Sequence, residues 1–286
     1  MKQHIHEPRF DVASAINPGQ RDYQEDALIT DFPQGTDFGF AVLADGMGGH
    51  AAGDTASKII VTEVFSEIKF QCSDLEHFEK NCSEILWEAA RSANDCIRAH
   101  VTENPDDRGM GSTLVAPIFI RDKLFWISIG DSPLYLLRKD EFSQVNEDHS
   151  MAPQIDLMLR SGMINEHEAK THPDRNCLTS VLGGDKVAKV DCPEEAFKIE
   201  RGDIFVVASD GLQFLSNEQI EAIVKEAKSK PAAEIAANLL DALIELDDPD
   251  QDNMSFSVIK VNWTDAAEKA AEEDLSVPLK LGVVNG

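Results

Sequence analysis

The chain has 286 residues, 42% of them hydrophobic, and carries 52 acidic against 26 basic side chains for a formal charge of -26. That length and apolar content support a sizeable core in one large domain or two small ones, and so large an acidic excess excludes the clustered Lys and Arg that a nucleic-acid partner needs. Five cysteines (Cys72, Cys82, Cys96, Cys177 and Cys192) form no CxxC pair, so neither a disulfide framework nor a zinc knuckle is expected.

The opening "MKQHIHEPRF" lacks the apolar centre of a signal peptide, and no run approaches the length of a bilayer span. A soluble cytoplasmic protein that does not engage a membrane is the expectation. In "GQRDYQED", Glu25 and Asp26 begin a strand and Arg21 stands just before it. "FGFAVLA" reads as a buried strand ending at Asp45, in the glycine-rich "DGMGGHAAGDT". Two helical stretches follow. In the second, Leu75, Phe78, Cys82, Ile85, Ala89, Ala93, Ile97 and Val101 mark one apolar face at spacings of three and four. "GMGSTL" opens the strand "STLVAPIFI", whose glycines leave room for close backbone approach. A tight hairpin is expected at Arg121 to Lys123, then the strand "LFWISI", a second reversal at Asp131 to Pro133, and the strand "LYLLR".

Residues 146–184 are polar, hold short helical patches and read as a flap. "DIFVVAS" is the next strand, followed by a helical pair over Asn217 to Lys228 and Ala232 to Leu246, separated at Pro231, which cannot continue a helix. "MSFSVIKV" is the last strand, and 264–286 form a C-terminal tail after a domain over 1–263. Successive reversals favour antiparallel pairing, and strands interrupted by paired helices favour sheets covered by helices.

The acids recur at one kind of place. Asp45, Asp131 and Asp210 each follow a core strand, and Asp252 comes just before one. Taken singly, each is ordinary turn chemistry. Four together, with Glu25 and Asp26 at a further strand, point to a shared site. Converging carboxylates repel one another unless cations neutralise them. Hard oxygen donors select Mg2+, Mn2+ or Ca2+ over zinc, and Arg21 is suited to hold a phosphate through two parallel hydrogen bonds, or else is an exposed surface arginine.

Other motifs fail on particular residues. A P-loop would need Lys where "GGHAAGDT" has Asp54. A dinucleotide fold needs a strand soon after its helix, and none follows here for about sixty residues. "DDPDQDN" is excluded as an EF-hand because Asn253 replaces the turn glycine and Ile259 the bidentate Glu. No G-x-S-x-G elbow and no Cys-x5-Arg loop occurs. His50 is either a proton donor or a residue that caps or packs on the next helix, and His149 and His172 are read as loop residues, either of which could be merely solvated.

"RDYQEDA", "FAVLADGMGGHAAGDTAS", "GMGSTL", "IGDS", "VVASDGL" and "DNMSFSVIKV" occur in the order found in the metal-dependent protein phosphatases (type 2C, or PPM), and "DGMGGH" resembles the bacterial serine/threonine branch. The resemblance covers roughly residues 9–262. It implies an α+β fold, a four-layer αββα sandwich of two antiparallel sheets flanked by pairs of antiparallel helices. It implies hydrolysis of phosphoserine and phosphothreonine in proteins by a bridging water at a binuclear Mn2+ or Mg2+ centre. Two metal ions per chain are implied, with a third, weaker one in bacterial members.

By the same resemblance Asp45 bridges both metals, the Gly46 carbonyl binds the first, and Asp210 and Asp252 bind the second. Glu25 and Asp26 contact the first metal's waters, Arg21 binds phosphate, and Asp131 holds the third metal with Asp210. Asn253 belongs to an Asp-Asn pair beside the second metal. Met47 stands where eukaryotic members often carry a histidine proposed as general acid, which leaves His50 or a metal-bound water for that role. Pro133 replaces an arginine frequent after "GDS", so that arginine's role does not carry over. A monomer opposing a cognate serine/threonine kinase is the implied setting, with the flap as the seat of substrate preference. A phosphopeptide-binding module or a nucleic-acid phosphodiesterase could use the same acids; retention of every acid and of Arg21 speaks against the first, and the charge against the second.

Overall fold

Apolar strands whose two faces both meet hydrophobic neighbours can be satisfied only in the middle of a layered structure. The computed structural model of the chain describes residues 9–49 and 51–262, and the expected 264–286 tail and His50 lie outside them. The order is β1 (Phe10–Asn17), β2 (Asp26–Asp31), β3 (Phe38–Met47), α1 (Ala51–Gln71), α2 (Leu75–Lys80), α3 (Cys82–Glu103), β4 (Gly111–Ser112), β5 (Leu114–Ile120), β6 (Lys123–Ile129), β7 (Leu134–Arg138) and β8 (Glu141–Gln144). Then come α4 (Ala152–Arg160), α5 (Glu166–Lys170), β9 (Phe197–Lys198), β10 (Ile204–Ala208), a short 3-10 helix (Asp210–Phe214), α6 (Asn217–Glu226), α7 (Ala232–Glu245) and β11 (Met254–Val261).

One sheet has the order β1-β11-β10-β7-β8 and the other β2-β3-β5-β6-β9, with β4 beside β3. Every paired strand is antiparallel. Strand alternation then builds the layers. Phe40, Val42 and Ala44 of β3 pack with α1 and α3 through Ile60, Val64, Leu86 and Ile97. The intervening Ala41 and Leu43 face inward, where they meet Phe205 and Val207 of β10 and Ile259 of β11. On the far side, Val206 and Val258 pack beneath Ile220, Val224 and Leu239 of α6 and α7. The result is the expected αββα sandwich. No helix among the described residues is long and apolar enough to cross a membrane.

Local signals set the helix boundaries. Ser216 and Gln219 form a capping box at the start of α6, and Pro231 is the N-cap of α7. The single apolar face expected from Leu75 onward is two helices, because the chain breaks at Asn81, whose N–H closes α2 on the carbonyls of His77 and Phe78.

One further expectation is met and one needs correction. The turn at Arg121 is a hairpin, with Arg121 at a φ of 55°. The reversal at Asp131 to Pro133, by contrast, carries the chain from β6 in one sheet to β7 in the other. Adjacent apolar strands in sequence cannot distinguish a hairpin from a crossing between sheets. Also unanticipated was β1, an edge strand paired only with β11, whose "FDVASAIN" has little apolar periodicity.

Candidate metal centre

The inward face of the sandwich is apolar along most of its length and turns acidic at one end. Asp45 lies two residues beyond Leu43 on the same face of β3, and its register partner on β2 is Asp26. From the other sheet, Asp210 begins the 3-10 helix after β10, and Asp252 lies in the loop that enters β11. Asp131 sits in the connection that crosses between the sheets. Strand pairing thus delivers five segments of the chain to one place.

The carboxyls feel one another. Asp45 is held well above the usual carboxylate range, first by burial and then by Asp26, Asp210, Asp131 and Asp252. Burial likewise pushes Asp26 up to about 7, opposed by the Ser209 and Ser255 hydroxyls and reinforced by Asp210 and Asp252. Asp131 rises to about 7 through burial, Asp210 and Asp148. Asp210 is raised by burial and Asp252, and is drawn back by a hydrogen bond with Asp45 and by the charge of Arg21.

The supporting shell is polar and specific. The Ser209 hydroxyl donates to Asp26 Oδ2 at 2.7 Å, while Asp26 Oδ1 is buried with no hydrogen-bond partner among the described residues. Thr113 brackets Asp45: its N–H donates to the Asp45 carbonyl at 2.9 Å and its hydroxyl accepts from the Asp45 N–H at 3.0 Å. The same hydroxyl lies 2.7 Å from that of Ser132, tying Asp45 to the Asp131 segment. Asn253 accepts from the Glu25 N–H at 2.7 Å and donates to the carbonyls of Pro18 and Tyr23, both at 2.9 Å. It therefore fastens the loop carrying Arg21 and Glu25 to the start of β11. Arg21 reaches the site, half exposed, with Nη2 2.6 Å from Asp252 Oδ2.

Glycines permit the close approach at the site's edge. A Cβ on Gly46 would lie 2.1 Å from the Gly53 carbonyl oxygen, and one on Gly53 would lie 2.4 Å from Glu25 Oε1. Backbone cannot yield as a side chain can, so Gly46→Ala is expected to destabilise the protein by about 3 kcal/mol. Gly183→Ala, whose methyl group would meet nothing closer than 3.5 Å, should stay within about 0.5 kcal/mol of wild type. Urea midpoints of the two variants check this pair.

His149 is not a solvated loop residue. It is buried at 1% exposure, and its Nδ1 accepts from the Gly130 N–H at 3.3 Å. Asn146, also buried, accepts from Leu134 N–H and donates to Ser132 carbonyl. Together they clamp both sides of Asp131 to the start of the expected flap. Met47 ends β3 partly exposed. Ser209, Ser132 and Asn146 carry no periodic signal in the sequence, and only their neighbours in space give them a role at the site.

These donors suit hard divalent cations. Among the described residues no three His, Cys, Asp or Glu side chains close into a cage of their own. Mg2+ and its like need none, because they are held by one or two carboxylates and keep several waters. The orphaned Asp26 Oδ1 and the mutually raised carboxyls fit such ions, and among the described residues no Cys or His joins the ring, which disfavours zinc.

Known proteins share both the sequence pattern and the fold of this chain. A Streptococcus pyogenes protein described as a putative protein phosphatase 2C-type is 31% identical over 208 residues, 72% of this chain and 80% of that protein. The Mycobacterium tuberculosis serine/threonine protein phosphatase PstP is 33% identical over 210 residues, 73% of this chain and 38% of its own greater length. The PstP crystal structure superposes with a TM-score of 0.74 at 28% identity, covering 89% of this chain and 99% of that one. A PstP catalytic domain in complex with two manganese ions gives 0.68 at 27% identity, covering 88% and 97%. With the family model for protein phosphatase 2C matching residues 19–245, the chain belongs to the protein phosphatase 2C family, alongside the bacterial serine/threonine phosphatases.

Proposed function

We propose that the acidic end of the sandwich holds two Mn2+ or Mg2+ ions and hydrolyses phosphoserine and phosphothreonine in proteins. The observation that carries this is the convergence of Asp26, Asp45, Asp131, Asp210 and Asp252, four of them with pKa values raised by burial and by one another. The manganese complex of the PstP catalytic domain supports the choice of metal. Asp45 would reach both ions and the Gly46 carbonyl the first; Asp210 and Asp252 would hold the second. Glu25 and Asp26 would act through water, and Asp131 with Asp210 would serve a third, weaker site. Bound there, such ions supply a water of lowered pKa and positive charge for the phosphoryl oxygens.

The chain's own groups do the positioning. Thr113 fixes the Asp45 backbone, Ser209 fixes the Asp26 carboxyl, and Asn253 holds the loop of Arg21. Exposed ion pairs are weak, so Arg21 can exchange Asp252 for a phosphate and bind it through two parallel N–H donors. Met47 cannot donate a proton, which leaves His50 or a water to protonate the leaving oxygen. The flap at 146–184, clamped to the Asp131 segment, is where substrate preference would lie. A cognate serine/threonine kinase, a monomeric state and a cytoplasmic setting complete the proposal.

Phosphate release from a phosphothreonine peptide tests it. Mn2+-dependent turnover is expected, and Arg21→Ala should lower kcat/KM on the order of 10- to 100-fold. A folded protein that releases no phosphate with Mn2+ or Mg2+ would overturn the assignment.

A further inference from the structure

A concave feature lies away from the acidic end. A cleft of about 770 Å³ separates α3 from the segment 182–190, within the range of about 300 to 1,000 Å³ usual for small-molecule sites. Its floor is apolar, formed by Ile129, Leu182, Val187 and Val190. Trp87 stands at its rim, 48% exposed. Arg91 and Arg98 follow on the same face of α3, and Lys186 faces them from the opposite wall.

The walls are fixed before anything binds. Asn94, buried beneath the cleft, donates to the Asp185 carbonyl and accepts from the Gly184 N–H, both at 2.9 Å. Arg98 Nε donates to the Gly184 carbonyl at 2.8 Å. At the other end, the Ser180 hydroxyl donates to the Lys189 carbonyl at 2.6 Å and accepts from its N–H at 3.0 Å. A preformed cleft avoids the ordering cost that weakens binding.

Its charges are nearly balanced, in contrast to the strong acidic excess of the molecule. Three cations line it with two carboxylates, Asp95 and Asp185, in a chain whose 52 acids outnumber 26 bases. Arg91 pairs with Glu88 and Arg98 with Asp95, all exposed on the helix surface. Such pairs contribute little, and each guanidinium keeps further N–H donors.

We propose that this cleft binds a small planar aromatic anion, its ring against Trp87 and the apolar floor and its charged group among Arg91, Arg98 and Lys186. Occupancy is felt at the acidic centre. Leu182, in the floor, exchanges two backbone hydrogen bonds of 3.0 Å with Ser112. Ser112 is the register partner of Gly46, and its neighbour Thr113 brackets Asp45. One strand therefore separates the cleft from the carboxyl ring. The binding stands independently of the proposed function; only the coupling rests on it.

Calorimetric titration with anilinonaphthalene sulfonate, with and without saturating Mn2+, tests both parts. Saturable binding of a single molecule per chain is expected. Trp87→Ala should weaken it roughly tenfold and Lys186→Glu roughly threefold. Both residues are exposed, so unchanged melting temperatures will show that the fold is kept. By reciprocity, Mn2+ should change the probe's Kd by about twofold or more. Absence of saturable binding, or affinity unmoved by both variants, would overturn the site; equal Kd with bound Mn2+ and without it would overturn the coupling.

Discussion

Replacing Asp210 with asparagine is expected to cut Mn2+-dependent phosphate release on the order of a thousandfold, about 4 kcal/mol of transition-state stabilisation, while the metal-free protein melts at a higher temperature. The two effects have one cause. Asp210 is half-buried, and burial and the neighbouring Asp252 both raise its pKa. Without cations its charge is a cost, which a neutral amide of the same shape removes. With cations the same charge becomes the holding force. A merely structural aspartate would behave otherwise: its loss would lower the melting temperature and leave turnover of the folded protein near wild type. Asp45→Asn should follow Asp210→Asn in both respects, since Asp45 is raised by burial and four neighbouring carboxyls.

The metal-free protein should also lose stability as pH rises from about 4 to about 7, and Mn2+ should restore it most at the upper end. Asp26 and Asp131, ordinarily titrating at 3.8, are raised to about 7 in the folded chain. Between those values the folded state binds more protons than the unfolded state, so unfolding becomes easier as pH rises; above about 7 both states are ionised and the loss is complete. Cations compete with those protons, which makes the Mn2+-induced rise in melting temperature small near pH 5 and large near pH 8. His149 works the other way. Burial lowers its pKa, so stability from its neutral form is lost as pH falls below its ordinary value. Comparing wild type with Asp26→Asn isolates the carboxyl contribution: the variant's metal-free pH dependence should be shallower. A Mn2+ effect independent of pH would contradict this linkage.

The sequence made the acids conspicuous because Asp45, Asp131, Asp210 and Asp252 each abut an apolar run that can only be a strand, and strand ends fall at the edges of a sandwich. The helical coverage was legible for a similar reason, from the three-and-four spacing of α3 and the proline before α7. What joins elements was less legible. The crossing at Asp131 to Pro133 looks like a hairpin because adjacency says nothing of which sheet receives the next strand. The burial of His149 depends on Gly130, nineteen residues away, whose N–H it accepts. Ser209 acquires meaning only because Asp26, 183 residues distant, ends beside it. Arg21 reads in the sequence as a phosphate ligand or an exposed surface arginine, and its contact with Asp252, 231 residues away, carries no signal along the chain.

Calorimetric titration of the purified, metal-stripped chain with Mn2+ at neutral pH tests the central claim most directly. Two ions per chain are expected in the wild type, and Asp45→Asn, which removes the carboxylate proposed to reach both, should abolish or severely weaken both. Wild-type protein that is folded yet takes up no Mn2+, or an Asp45→Asn variant that binds two ions as tightly as wild type, would contradict it.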